Sequence, residues 1–337
     1  MKRAFGELKS VDREPLLFTL ARRIQAAGLR GGYRLEKTLR NRGDLDVNVR
    51  RELPNGVAVY VPLAERAHDA QYLADYESDS IEQMARIVGG YGTTFCLLDC
   101  GADIGVMSAK FVSSIPEIVK VVSFEPNAVS YEYLECNSRL LGVDAKALNM
   151  GVGDFNGKAE LQWPEFSTHD HAAYVVPSEE GSFEVTTIDE LGLKGEKALF
   201  FKIDVEGGEL AVLRGAKESI ESADHVVVLF EAHPDQVRRT GVDPVEIIAF
   251  VTSIRECEAT VMESPGEGID PSRPFFDQFP DQIFNICLHS STRTVEDAPP
   301  PSGVSPAHAQ RPGAHHPSQS SSRAVRTPPR SPTAPLA

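Results

Sequence analysis

The chain has 337 residues, of which 41% are hydrophobic, and a net charge of −15. This length suffices for one sizeable α/β domain with extensions, and no apolar run approaches the roughly 20 residues that a membrane-spanning helix needs. Residues 1–51 carry +7 and residues 292–337 carry +3, so the segment between them carries −25. Because an acidic body repels phosphate backbones, the composition argues against DNA or RNA as a partner.

The charged opening sequence, MKRAFGELKSVDREPLLF, lacks the continuous apolar core of a secretory signal, so the protein is expected to be cytoplasmic. The cysteines form no CxxC pair, which disfavours both a zinc site and a disulfide framework. Magnesium held by Asp204, Glu206 and Glu231 is conceivable, but acidic residues at strand ends are common without metal. No obligatory metal is therefore predicted, and the oligomeric state stays open.

Residues 1–53 are predicted to form a basic, helical N-terminal extension, because RLEKTLRNRGDLDVNVRREL has a charged helical pattern. The turn sequence PNG at 54–56 and the following VAVYVPL indicate two short strands, and a helix is expected at about 79–88. At the other end, residues 291–337 are rich in Pro, Ser and Ala and are predicted to be a disordered tail. The folded domain is expected over residues 54–290.

The sequence LLDCGADIG at 97–105 indicates a strand, a glycine turn and then a helix over 104–112. Glycines let the backbone turn sharply and let a ligand approach, and the following helix offers free N–H groups. A second strand, 119–124, ends in Glu125, whose carboxylate could accept two hydrogen bonds from a ribose diol. The dinucleotide fingerprint would need glycines at 103 and 106, where the chain has Asp103 and Val106, so nicotinamide binding is the weaker interpretation.

Strands and helices alternate through the remainder, with strands expected at 145–152, 158–163, 183–188, 199–205, 226–231, 259–263 and 283–289 and helices at 127–141, 208–222 and 244–254. This alternation predicts an α/β fold with a doubly wound, mostly parallel sheet. Ligands of such sheets bind at the carboxyl ends of the strands, where Asp99, Glu125 and Asp204 all fall. Lys202, on a buried strand, is expected to form a structural ion pair.

The spacing of Asp99, Gly101, Gly105 and Glu125 resembles the S-adenosylmethionine site of class I methyltransferases. The segment ALFFKIDVEGGELAVLRGA, which begins at Ala198, resembles the signature of the FkbM-type methyltransferase domain, and LFEAH at 229–233 fits its next strand. The resemblance implies a Rossmann-like sheet of seven strands, with the last strand antiparallel beside the fifth. It also implies S-adenosylmethionine as the cofactor.

The donor-binding residues that follow from this resemblance lie in the glycine turn and after the second and third strands: Asp99, Gly101, Ala102, Asp103, Gly105, Glu125, Pro126 and Asp154. Asp103 stands where the family usually has asparagine, and Cys100 stands where an aliphatic residue is usual. Asp154 follows the third strand, where related enzymes often bind adenine, although GDFNG is also an ordinary turn sequence.

The general base is chosen among Asp204, Glu206, His233 and His169. The first two flank the tip of the fourth strand, His233 follows the fifth strand, and His169 lies in a polar loop that could cover the site. The expected reaction is in-line methylation of a hydroxyl on a small molecule such as a sugar, polyketide or other secondary metabolite. The alternatives are a nicotinamide-dependent oxidoreductase and a non-catalytic donor-binding module that acts through the N-terminal segment or the tail.

Overall fold

The computed structural model describes residues 4–66, 76–163, 174–193, 195–280 and 282–291. The strands in these residues are β1 (Lys9–Val11), β2 (Val47–Glu52), β3 (Ala58–Pro62), β4 (Phe95–Cys100), β5 (Ile118–Phe124), β6 (Asp144–Leu148), β7 (Gly151–Val152), β8 (Gly157–Gln162), β9 (Tyr174–Pro177), β10 (Phe183–Thr186), β11 (Ala198–Ile203), β12 (His225–Ala232), β13 (Cys257–Val261) and β14 (Phe284–Ser290). The helices are α1 (Leu16–Ala26), α2 (Gly32–Asn41), α3 (Leu63–Arg66), α4 (Ser78–Gly89), α5 (Val106–Ser114), α6 (Ala128–Ser138), α7 (Glu209–Arg214), α8 (Lys217–Ser222), α9 (Pro234–Thr240), α10 (Pro244–Ile254) and α11 (Phe275–Gln278).

The largest sheet has seven strands in the order β13-β14-β12-β11-β4-β5-β6. Strands β12, β11, β4, β5 and β6 run parallel, while β14 runs antiparallel to both of its neighbours. Every residue of the two central strands, β4 and β11, is buried, which matches their largely apolar sequences, and each strand also buries one charged residue, Asp99 or Lys202. This arrangement confirms the predicted fold class, including the antiparallel strand beside the fifth strand of the parallel set.

The N-terminal region packs against the large sheet. A small sheet forms in the order β1-β2-β3, and Phe18 and Val49 share one apolar core with Phe200 of β11. The helical pattern expected through residue 53 is wrong at β2, because those residues pair with β3 in an antiparallel ladder. The expected domain boundary after residue 53 lies between these two paired strands, and residues 292–337 of the expected tail lie outside the described residues.

Two expected elements are each divided. The strand expected at 145–152 is divided into β6 and β7 by a bend of the backbone at residues 149 and 150. At this bend the side-chain Nδ2 of Asn149 donates to the carbonyls of Glu125 and Pro126. β7 belongs to a separate four-stranded sheet in the order β7-β10-β8-β9, hereafter the second sheet. Its strand β9 was not predicted. The helix expected at 208–222 divides into α7 and α8 at Gly215, where the backbone comes close to that of Gly153.

Gly215→Ala should test this close approach. A Cβ at this position would lie 1.9 Å from the carbonyl oxygen of Gly153, while the backbone φ of −74° is one that alanine adopts freely. Overpacking should therefore lower the free energy of unfolding by about 1–3 kcal/mol. The matched control is Gly195→Ala, because a Cβ there meets no atom within 4 Å. Urea unfolding that gives equal midpoints for both variants would contradict the packing described.

Candidate active site

A cleft of about 940 Å³, including its mouth open to solvent, lies at the carboxyl ends of the parallel strands. The glycine turn after β4 and the rim after β5 form one wall, and the second sheet forms another. The cleft is lined by Gly101, Ala102, Asp103, Met107, Phe124, Glu125, Pro126, Asn127, Ser130, Met150, Gly151, Val152, Leu161, Val175, Lys202, Asp204, Val205 and Glu206. Most of the predicted donor-binding residues and two predicted general bases therefore share one cleft.

The glycine turn depends on a residue without a side chain at position 101. Gly101 has a φ of +79°, and a Cβ on it would lie 1.9 Å from the carbonyl oxygen of Asp204. The backbone N–H groups of Gly101 and Ala102 both donate to the carbonyl of Phe124, at 3.1 and 2.9 Å. The turn thus joins the ends of β4, β5 and β11 closely, which positions the floor of the cleft. Gly105, with a φ of +84°, begins α5 and does not line the cleft.

Glu125 is held at the rim of the cleft by backbone donors. Its side chain accepts hydrogen bonds from the N–H groups of Asp103 and Asn127, each at 2.8 Å, and the residue is 8% exposed. A carboxylate has about four acceptor positions, so one that is oriented by backbone N–H groups can also accept from a diol. Asn127 caps α6 by accepting from the N–H groups of Val129 and Ser130, which fixes where the rim ends.

Asp103 carries the main departure from the family pattern. Its carboxylate forms an ion pair with Arg66, whose side chain is 4% exposed, and accepts a hydrogen bond from the Ser130 hydroxyl at 2.8 Å. An asparagine at this position would carry no charge to pair with Arg66. Sequence reasoning missed Arg66 because it lies 37 residues away and follows a different sheet.

Asp99 lies beneath the cleft and does not line it. The residue is fully buried, and its Oδ2 accepts from the Ser108 hydroxyl at 2.5 Å, which joins β4 to α5. Burial raises the pKa of Asp99, and the ammonium of Lys202 opposes that rise. Its predicted contact with the donor stays a prediction, since the contacts shown are all within the protein.

Lys202 connects two carboxylates at the ends of β4 and β11. Its Nζ lies 3.2 Å from Asp204 and 3.7 Å from Asp99, which confirms the predicted structural ion pair. Burial would lower the pKa of Lys202, but the two carboxylates outweigh burial and hold that pKa above its ordinary value. The ammonium therefore stays charged at the end of the cleft.

The predicted general bases occupy different places. Asp204 and Glu206 line the cleft, and burial, followed by the nearby Asp204, raises the pKa of Glu206 to about 7. His233 lies outside the cleft, where its Nδ1 accepts from the N–H of Asp235 at the start of α9. Burial, with Arg238 and Arg239, lowers the pKa of His233. His169 lies outside the described residues.

The remaining predicted residues divide between the cleft and the surface. Pro126 lines the cleft, whereas Asp154 is exposed and does not, so its contact with adenine stays a prediction. Sequence reasoning missed the wall made by the second sheet, where Leu161 and Val175 pair across β8 and β9. Leu161 lies between the polar Glu160 and Gln162, which was the available signal, whereas Val175 lies between Tyr174 and Val176 and β9 was not recognised.

Residues 99–259 match the family model described as the methyltransferase FkbM domain. The match spans 161 of the 337 residues, so this part of the chain is similar to the FkbM methyltransferase domain. It is 29% identical over 164 residues to the hexuronic acid methyltransferase AglP of Haloferax volcanii, a match that covers 47% of this chain and 62% of that protein. The chain thus spans less than two thirds of the length of this curated relative.

Solved structures with a related arrangement include a methyltransferase FkbM from Methylobacillus flagellatus. It has a TM-score of 0.37 and 17% identity, and the match covers 58% of this chain and 43% of that chain. An S-adenosylmethionine-dependent O-methyltransferase from Thermotoga maritima has a TM-score of 0.34 and 13% identity, with 64% and 66% of the two chains covered. At TM-scores this low, neither similarity carries information on ligand or substrate.

The described residues show no helix long and apolar enough to cross a membrane. Nor do they bring three or more His, Cys, Asp or Glu side chains into an arrangement that could hold a metal ion. The cytoplasmic location and the absence of an obligatory metal stay predictions.

The buried glutamates should make stability fall as the pH rises. Burial raises the pKa of Glu206 and of Glu209 to about 7 and that of Glu231 to about 8, so the folded protein holds protons that the unfolded chain releases. This contribution is fully present below pH 4.5, the ordinary pKa of glutamate, and is lost as the pH passes through about 7 to 8. Urea unfolding between pH 5 and 8 should show the decline.

Glu231→Gln should make that decline shallower, because one of the three titrating groups is gone. The matched control is Glu258→Gln, since Glu258 is exposed on the edge strand β13. A decline that is equally steep in Glu231→Gln and in the unsubstituted protein would contradict a buried, protonated Glu231.

Proposed function

We propose that the protein transfers a methyl group from S-adenosylmethionine to a hydroxyl of a small molecule. The observation that carries this proposal is a single cleft that is lined by the carboxylate of Glu125 at its rim and by the carboxylates of Asp204 and Glu206. The first suits a ribose, and the second pair suits the positive charge of a sulfonium. The FkbM domain match supports the same donor.

The lining of the cleft fits the parts of this donor. Glu125 would accept from the ribose hydroxyls, and the apolar side chains of Met150, Val152, Leu161 and Val175 would pack on the adenine. The turn at Gly101 and Ala102 would lie against the methionine portion, where a larger residue at 101 has no space. The cleft thus offers an apolar wall, a diol acceptor and an anionic end for a ligand that needs all three.

Methyl transfer would require little covalent chemistry from the protein's own residues. When bound, S-adenosylmethionine supplies an electrophilic methyl group and a neutral thioether leaving group. The protein's residues align the acceptor oxygen with that methyl and remove its proton. Asp204 and Glu206 line the cleft at the required end, and the pKa of about 7 at Glu206 suits a group that exchanges protons near neutrality. His233 and His169 stay predictions for this role.

A sugar hydroxyl is the acceptor that we favour. The curated relative is named a hexuronic acid methyltransferase, which supports a carbohydrate-like small molecule. No described feature favours the nicotinamide-dependent alternative, because positions 103 and 106 hold Asp103 and Val106 in place of glycine. A donor-binding module without catalysis would bind the donor and fail to transfer its methyl group.

Glu125→Gln should weaken binding of S-adenosylmethionine about 10- to 100-fold, since a hydrogen bond to a charged group contributes about 1.5–3 kcal/mol. Isothermal titration with S-adenosylmethionine and S-adenosylhomocysteine measures the effect, and NAD serves as the comparison ligand. The matched control is Glu184→Gln, because Glu184 is exposed on β10. Equal affinity in Glu125→Gln and the control would remove Glu125 from the donor site, and binding of NAD alone would support an oxidoreductase.

A further inference from the structure

A second cavity, of about 480 Å³ including the part that is open to solvent, adjoins the cleft at the carboxyl ends of β11 and β12. It shares three lining residues with the cleft, namely Met107, Lys202 and Asp204. Its other lining residues come from α4 and the two residues before it, from α5, from β11, from β12 and from β14, and they include Tyr76, Glu77, Phe111, Phe230, Glu231 and Asn285. A molecule in this cavity would meet a donor in the cleft at the Lys202 and Asp204 boundary.

The lining of this second cavity divides into an apolar floor and a polar rim. Phe111, Leu229 and Phe230 belong to the buried cores on the two sides of the large sheet. The rim is built largely of hydrogen-bond acceptors and amphipathic groups, including carboxylates, a side-chain amide and a phenol. This combination suits a compound that has both an apolar ring face and several hydroxyls.

The charge of the second cavity is negative. Three carboxyl groups face it, those of Glu77, Asp204 and Glu231, against one ammonium, that of Lys202, so Glu77 and Asp204 outnumber the ammonium even when Glu231 is protonated. The ammonium is already paired with Asp204 at 3.2 Å and with Asp99 at 3.7 Å, so it does not offer an unshared positive charge to a ligand. An anionic ligand would therefore be repelled, whereas hydroxyl donors would find acceptors.

Two polar side chains in the second cavity have hydrogen-bonding capacity that the described residues do not use. Neither the Glu231 carboxylate nor the Tyr76 hydroxyl has a hydrogen-bond partner among the described residues, although both are partly buried. Glu231 lies opposite Asn285 across the β12–β14 pairing, and Asn285 Nδ2 donates to Glu77 at 3.2 Å. Glu231 and Tyr76 are thus placed to contact a ligand directly.

We propose that the second cavity holds the methyl acceptor, that this acceptor is an uncharged polyhydroxyl compound such as a neutral sugar, and that Glu231 accepts the proton of the reacting hydroxyl. This inference rests on the proposed function. One carbon–oxygen bond forms as the carbon–sulfur bond breaks, and the hydroxyl proton passes to the Glu231 carboxylate and then to solvent. The acceptor so defined differs in charge from the hexuronic acid in the name of the curated relative.

The electrostatics of Glu231 agree with this role. Burial, followed by Asp204 and Glu206, raises the pKa of Glu231 to about 8, which makes its ionised form a stronger base than an ordinary carboxylate. The group is mainly protonated at pH 7 and gains its basic form as the pH approaches 8 and above. The rate of methyl transfer should therefore increase between pH 7 and pH 8. This increase should disappear in a variant whose residue 231 cannot ionise.

The test uses the full chain, donor with a labelled methyl group, and two sets of probes: the methyl glycosides of glucose, galactose and mannose, and the corresponding uronides. We expect label in the neutral glycosides and little in the uronides. Glu231→Gln should lower kcat about 10²- to 10⁴-fold, the usual contribution of a general base, and should abolish the rise in rate toward pH 8. Tyr76→Phe should mainly raise KM for the glycoside.

Glu258→Gln is the matched control, and the affinity for S-adenosylmethionine should change less than twofold in all three variants. Preferential labelling of uronides would overturn the neutral acceptor, as would no labelling of any glycoside by protein that binds the donor. Turnover in Glu231→Gln equal to that of the control would overturn its role as proton acceptor. Failure to bind the donor would instead reject the proposed function, so the two failures are distinguishable.

Discussion

The buried ammonium of Lys202 sets the charge and the geometry at the centre of the molecule. It lies where β4 and β11 end, within 3.7 Å of Asp99 and 3.2 Å of Asp204. Since a buried charge without a partner is costly, the three groups stabilise one another, and loss of one would leave the others uncompensated. Lys202 also lines both cavities, so the boundary between the proposed donor and acceptor positions is itself an ion pair.

Carboxyl groups outnumber the one ammonium at this boundary, and two of them, Glu206 and Glu231, can exchange protons near neutral pH. Burial, followed by the nearby Asp204, raises the pKa of Glu206 to about 7 and that of Glu231 to about 8, and Lys202 is the only lysine among the described residues that line the two cavities. Groups with such values can take up and release protons near neutral pH, as a hydroxyl acceptor requires. Burial of these carboxyl groups lowers the stability of the fold at higher pH. The same burial gives the groups the pKa values that suit the proposed proton transfer.

The N-terminal region contributes to the cleft and is not a separate appendage. Asn137 of α6 accepts from the N–H of Tyr60 in β3 at 2.7 Å and donates to the carbonyl of Ile104 at 2.7 Å, which ties the small sheet to the glycine turn. Arg66 likewise reaches Asp103. The turn that would hold the donor is therefore supported by residues that lie before the FkbM match at 99–259.

The sequence alone determined the fold class, the glycine turn, the position of Glu125 directly after a strand and the Lys202 ion pair, because period, glycine position and strand-end charge are local properties. It was wrong for β2, which takes its conformation from pairing with β3, and for the continuous helix across Gly215, which breaks at a backbone contact. Tertiary structure alone decided that Asp99 lies beneath the cleft, that Arg66 pairs with Asp103, and that Tyr76 and Glu231 share a cavity. Such contacts join residues far apart in the chain, and no local pattern encodes them.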